Sequence, residues 1–345
     1  MWKILLVCML VLMPSQDSHA QSSRPAEPKN YIYFGRDRQR TAELRFLSTS
    51  AIVGAQLKYT WRELEPERDR YALELIRQDL DFLQSQGKQL FIQLQDVSFD
   101  EAIVNVPDYL VEDSTFHGGV AMQYGFEGDD ESRPIREGWV ARRWDPAVRE
   151  RLSRLLRVLA SEFDGRIAGV NLPETAVGFG EGGDLWPEDF TPPRYFEAIK
   201  DLMTAARNAF QKSDVILYAN FMPGEELPRL DRGYLKGLYQ HAARVGVGVG
   251  GPDLLPHRRG QRQNSLPLIA GRPPGIVAGM AVQWGNLEDV NPATGMPVTV
   301  LELAGFARDG LRLDYVFWGT QEPFYSTNVL PYLESLEDPN PNGSR

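Results

Sequence analysis

Glu174 has the residue type and the setting for chemistry. It follows a short apolar run, residues 167–172, bounded by Asp164-Gly165 on one side and Pro173 on the other. A run of that length between turn residues reads as a fully buried parallel strand. A carboxylate just past the C-terminal end of such a strand lies on the face where barrels of alternating strands and helices carry their active sites. Asn171 leaves the same strand end, and a polar pair beside a wall of apolar residues is a poor way to build a core. The bland role for one glutamate is a cap or a salt bridge. The company this one keeps points to chemistry.

Other residues fit for the same work sit at the ends of further short apolar runs. Asp96 follows residues 89–94, Tyr218 and Asn220 close residues 215–221, and Asp253 follows residues 245–250. Gln283 and Trp284 end residues 276–284, Trp318 ends residues 315–318, and Glu322 stands a little beyond. Indoles stack on the apolar faces of pyranose rings, while carboxylates and amides take the hydroxyls. Cleaving a glycosidic bond needs one carboxyl kept protonated near neutral pH and a second group across the scissile bond. Singly, each residue is explained by barrel packing or loop capping. Together on one rim they describe a saccharide site. Glu174, Asp253 and Glu322 are its candidate catalytic residues, and Asp96, Asn171, Tyr218, Asn220, Gln283, Trp284 and Trp318 its candidate contacts.

Other chemistries lack their residues. Gly246-Val-Gly-Val-Gly-Gly251 matches the glycine pattern of dinucleotide sites, but Pro252-Asp253 follows where a helix should open. There is no G-x-S-x-G, no Walker loop and no cysteine–histidine pair, so acyl and phosphoryl transfer have nothing to stand on. His117, His241 and His257 are widely spaced, which argues against zinc, and no cofactor is expected. Net charge is −10, which argues against nucleic acid or an anionic membrane surface as partner. The basic cluster Arg258-Arg259-Arg262 permits an acidic sugar but reads first as a solvated loop.

The elements that must position these residues follow in chain order. Residues 1–20 carry Lys3, an apolar run and a small-residue end at Ala20, the pattern of a cleavable signal peptide, so a secreted or periplasmic protein is expected. The only cysteine, Cys8, leaves with it. That run is too short to span a bilayer, and no later one is long enough, so no stable membrane anchor is expected. Residues 21–30 read as a disordered lead-in, 31–336 as one barrel domain and 337–345 as a disordered tail. Strands are expected at 31–34, 51–59, 89–94, 167–172, 215–221, 245–250, 276–284 and 315–318. Helical spacing fills 36–47, 71–86, 145–163, 191–211, 234–243, 298–307 and 327–336, whereas 254–275 shows no convincing helix. About fifty residues, 95–144, form a long loop after the third strand, and loops of that size are usually functional. Eight alternating strands and helices make a single (β/α)8 (TIM) barrel.

The run WRELEPERDRY at residues 61–71, continuing through Gln86-Gly87-Lys88 to QLFIQ at 89–93, resembles the strand-two to strand-three passage of the clan of retaining (β/α)8 glycoside hydrolases. A glutamate closing the fourth strand, Gly251-Pro252-Asp253 after the sixth and Trp318 closing the eighth extend the likeness. The resemblance implies a hydrolase of O-glycosidic bonds in an oligo- or polysaccharide, with Glu174 as general acid/base. Two departures stand out. Leu172-Pro173 separates Asn171 from Glu174, where the clan has the pair adjacent, and Gln283 occupies the place of the clan's strand-seven nucleophile. An amide cannot form the glycosyl ester. Three readings follow: a second carboxylate from Asp253, Glu288 or Glu322; an inverting reaction; or a barrel that binds glycans without cleaving them.

Overall fold

A computed structural model describes residues 26–127 and 131–337. The expected leader, half of the lead-in and nearly all of the tail lie outside these residues. Eight parallel strands close a barrel: β1 (Lys29–Gly35), β2 (Ile52–Thr60), β3 (Gln89–Gln95), β4 (Gly169–Leu172), β5 (Asp214–Tyr218), β6 (Gly248–Gly251), β7 (Ala278–Val282) and β8 (Tyr315–Gly319). Each strand pairs with its sequence neighbours, and β8 returns to β1. Lys29 and Asn30, expected in the lead-in, belong to β1, where they pair with Tyr315 and Val316.

Side chains alternate across each strand, so one set fills the barrel and the other meets the helices. Tyr31, Phe91, Ile216, Tyr218, Ala281, Tyr315 and Phe317 form the inner cluster. Phe91 on β3 and Phe317 on β8 lie 4.9 Å apart, ring centre to ring centre, although their strands are not neighbours. Only an interior contact can join them. The outer set packs under the helices Glu74–Ser85, Pro146–Phe163, Pro192–Ala209 and Tyr234–Val245 in one larger core. Asp145 caps the second of these, accepting from Ala147 N at 2.7 Å, with Pro146 in the first turn, where a missing N–H costs nothing.

Where elements differ from expectation, local chemistry explains most of it. Between β6 and β7 lie two short helices, Arg259–Gln263 and Ser265–Ala270, too brief and too proline-interrupted to leave a periodic signature. The last helix is a π turn, Tyr325–Val329, followed by Leu330–Ser335. Pro331 has no N–H to give the preceding turn. The long loop after β3 carries an antiparallel hairpin, Val120–Gly125 with Ile135–Ala141. That hairpin is held against the loop after β4, with Tyr124 N donating to Gly178 O at 2.7 Å.

Candidate active site

β4 stops at Leu172 because Pro173 cannot donate to the ladder. The chain then turns, and Glu174 emerges half-buried at the barrel mouth. Asn220, just past β5, donates from Nδ2 to Glu174 Oε2 at 2.8 Å. Its orientation is set from behind, since Asn220 Oδ1 accepts from Phe221 N at 3.0 Å and Ala176 N at 3.3 Å. The amide end is therefore the one turned toward the carboxylate. Burial pushes the Glu174 carboxyl above its usual range, and the charge of Asp253 pushes the same way. The Asn220 hydrogen bond, Arg143 and Lys58 oppose that rise without reversing it. A carboxyl that keeps its proton to higher pH suits a general acid.

Arg143 anchors the main chain here. Its Nη1 donates to Glu174 O at 2.6 Å and to the Tyr195 hydroxyl at 3.0 Å, and Tyr195 in turn donates to Thr175 O at 3.1 Å. Asp96 meets the same guanidinium with both oxygens, at 2.7 and 2.5 Å, and the pair is fully buried. Asp96 is thus not the substrate contact expected of it. Its oxygens are spent on Arg143, and its part is to hold the guanidinium that holds the Glu174 backbone. Arg143 itself carries no sequence signal, because its partner lies 47 residues away.

Beneath Glu174 is a buried polar layer. Gln56 Nε2 donates to Asn171 Oδ1 at 2.6 Å and to the Tyr218 hydroxyl at 3.2 Å. Burial raises the Tyr218 pKa, so the phenol stays neutral. Asn171 and Tyr218 line the floor as inward-facing residues, and Gln56 and Gln93, unmarked in the sequence, join them. Gln56 Oε1, Gln93 Oε1 and Asn171 Nδ2 have no hydrogen-bond partner among the described residues.

Two strands along the barrel, Asp253 follows β6 and accepts from Asn286 Nδ2 at 2.9 Å. Asn286 Oδ1 accepts from Gln283 N at 2.9 Å, tying Asp253 to the end of β7. Burial raises the Asp253 pKa, against the pull of Asn286 and Arg258. Gln283 is half-buried, and Trp284 is 77 % exposed.

Two expected site residues lie elsewhere. Trp318 is fully buried on the outer side of β8, its indole N–H donating to Asn30 Oδ1 at 2.9 Å and its ring against Tyr332. The inward residue is its neighbour Phe317. Glu322 is exposed, paired with Arg40 at 3.3 Å and accepting from the Ser326 hydroxyl at 2.6 Å. Among its causes the Ser326 bonds and Arg40 outweigh burial and lower its pKa, which does not suit a proton donor, and its charge is not among the leading ones that act on Glu174. Glu288 is exposed and accepts from Gln321. Of the three carboxylates in reach by topology, Asp253 is the one whose charge acts on Glu174.

No protein-family model matches this chain, and no curated protein sequence does either. Solved structures do. The catalytic domain of beta-amylase from Paenibacillus polymyxa aligns with a TM-score of 0.55 at 7 % identity, covering 85 % of this chain and 93 % of that one. Endo-glycoceramidase II from Rhodococcus sp. aligns at 0.53 and 13 % identity, covering 90 % and 78 %. The old yellow enzyme from Trypanosoma cruzi, an oxidoreductase, aligns at 0.53 and 13 %, covering 90 % and 89 %. These likenesses establish the (β/α)8 fold. At such identities one barrel hosts unrelated chemistries, so function has to be argued from the site.

Proposed function

We propose that this chain hydrolyses O-glycosidic bonds of an oligo- or polysaccharide, with Glu174 as proton donor and Asp253 as the second carboxylate. The observation that carries the proposal is the Glu174 carboxyl, raised by burial and by Asp253, and oriented by Asn220 at 2.8 Å. In the reaction, the Glu174 proton passes to the glycosidic oxygen. The C1–O bond breaks, and its electron pair stays on that oxygen. If water attacks C1, ionised Asp253 takes the proton that the water sheds. If Asp253 attacks, it forms a glycosyl ester, which water then cleaves at C1. Ionised Glu174 takes that water's proton, and Asp253 leaves as the carboxylate. Gln283 orients a hydroxyl and takes no part in bond making. Exposed Trp284 offers a stacking face at the rim.

The test is reducing-sugar release from a panel of neutral and acidic polysaccharides. Glu174→Gln and Asp253→Asn should each lower turnover by about 10²–10⁴-fold, the range for a positioned acid or base. The anomer of the first product, read by NMR, tells attack by Asp253 from attack by water. Wild-type chain that binds a glycan and releases nothing would make this a binding barrel, the reading that Gln283 favours.

A further inference from the structure

The rim holds a cavity of about 310 Å³ at the ends of β1, β2 and β3. Tyr33, Arg36, Lys58, Gln95, Phe99 and Asn105 are among its walls. Its volume is at the lower end of the range for ligand pockets, ~300–1,000 Å³. Two features set it apart. The first is aromatic surface: Tyr33 is half-buried, and Phe99 is 64 % exposed at the edge. The second is charge. Lys58 lies 5.8 Å from the Tyr33 ring centre, and Arg36 donates to the neutral Asn105 Oδ1 at 3.1 Å. Neither cation is in an ion pair among the described residues, whereas Arg38 and Arg40 nearby pair with Asp79 and with Glu43 and Glu322. The lining acid, Asp100, has one oxygen taken by Ala102 N at 2.9 Å. On a chain of net charge −10, two such cations in one aromatic-walled hollow are a local reversal of sign.

The hollow lies beside the reacting centre in the barrel order, because β3, whose end helps to line it, is the neighbour of β4, the strand that leads to Glu174. We infer that this cavity is a subsite for a sugar unit bearing an anionic group, a carboxylate or a sulfate ester, in a chain whose neighbouring bond lies at Glu174. Lys58 and Arg36 meet the anion through charge-assisted hydrogen bonds, and Tyr33 and Phe99 take the ring. The basic cluster noted in the sequence is a poorer candidate. Arg258 is paired with Asp289 at 2.8 Å, and Arg259 shares its cavity with Glu181, Glu225 and Glu226. The inference rests on the glycan reading in that the ligand is a saccharide, but it stands apart from whether the bond is cut.

The test uses the full chain carrying Glu174→Gln, so that binding is read without turnover. Its ligands are oligosaccharides from polygalacturonate, alginate and a sulfated galactan, each beside its carboxyl-reduced or desulfated counterpart, measured by calorimetry. At least one charged ligand should bind ten-fold or more tightly than its neutral partner, with the difference shrinking as salt rises. Which ligand does so tells carboxylate from sulfate. Lys58→Met and the surface change Arg36→Gln should each erase most of that preference, weakening the charged ligand's binding far more than the neutral one's. Equal binding of charged and neutral ligands, or no binding of any, overturns the acidic subsite. A preference lost in Lys58→Met, together with a wild-type chain that releases no reducing ends, keeps the subsite and removes the hydrolase.

Discussion

Glu174 bears a cost at neutral pH that a glutamine would not. Burial and the Asp253 charge raise its folded pKa above the unfolded value, so the folded state holds the proton longer. A raised group contributes stability that is fully present below the unfolded pKa and is lost as pH rises through the folded one. Glu174→Gln should therefore melt at a higher temperature than the parent at pH 8. The gap should close below about pH 4, where both side chains are neutral. Melting curves at the two pH values check this, and identical curves at pH 8 would mean that the carboxyl is not held under strain. The residue scale is also where the sequence misled. It placed carboxylates and indoles at strand ends, but not their directions. One step along β8 separates Phe317 inside the barrel from Trp318 outside it. Asp96 and Arg143, 47 positions apart, have no local pattern that announces a pair. Glu174 was legible because the short apolar run before it fixes a strand end, and Asn220 because it follows another.

At the scale of elements the apolar runs were enough to find all eight strands, because parallel barrel strands, covered on both faces, are near-continuous apolar runs bounded by turn residues. The WRELEPE motif turns out to serve the frame and not the reaction. Thr60 and Glu63 form a capping box, the Trp61 indole donates to Glu65 at 2.9 Å, and Glu65 pairs with Arg151 on the helix Pro146–Phe163. The glycine pattern near β6 has a similar explanation. Gly246, at φ 76°, ends the helix Tyr234–Val245, and a Cβ on Gly248 would come within 3.1 Å of Ile216. Glycines inside the barrel make room for its rings. The case that bears on the site is Gly169, on the strand leading to Glu174. A Cβ there would come within 2.5 Å of the Phe91 ring and 2.6 Å of Asp214 O. Gly169→Ala should cost about 1–3 kcal/mol in urea unfolding, the usual range for an overfilled core. Adding Phe91→Leu should recover only part, because the Asp214 carbonyl remains in the way.

On the scale of the whole molecule, an aromatic-filled barrel floor supports a mouth built from two excursions, the hairpin after β3 and the loop after β4. Their lengths were visible in the sequence, but their contact was not, since it joins main-chain groups to one another and to a single glutamine side chain more than fifty positions away. Gln123 is the seam. Buried within the hairpin, it accepts from Gly178 N at 3.2 Å and donates to Ser98 O at 3.3 Å. A cavity of about 740 Å³ opens beside this seam, walled by Tyr124, Gly178, Glu181 and Arg229 among others. Glu174 lies four residues before Gly178, so the seam limits how far the loop carrying the proposed acid can move. Replacing Gln123 with alanine leaves the Gly178 N–H and the Ser98 carbonyl without that partner, worth about 1–3 kcal/mol where such groups stay buried. The barrel does not pass through this seam, so the loss should be local. Amide exchange should quicken at residues 175–183 and in the hairpin while the strands stay protected. Turnover of a cleaved glycan should fall further than its KM rises, because the acid is displaced and the sugar subsites are intact. Exchange that quickens across all eight strands instead would show that the hairpin is part of the barrel's own stability and not a wall added to its mouth.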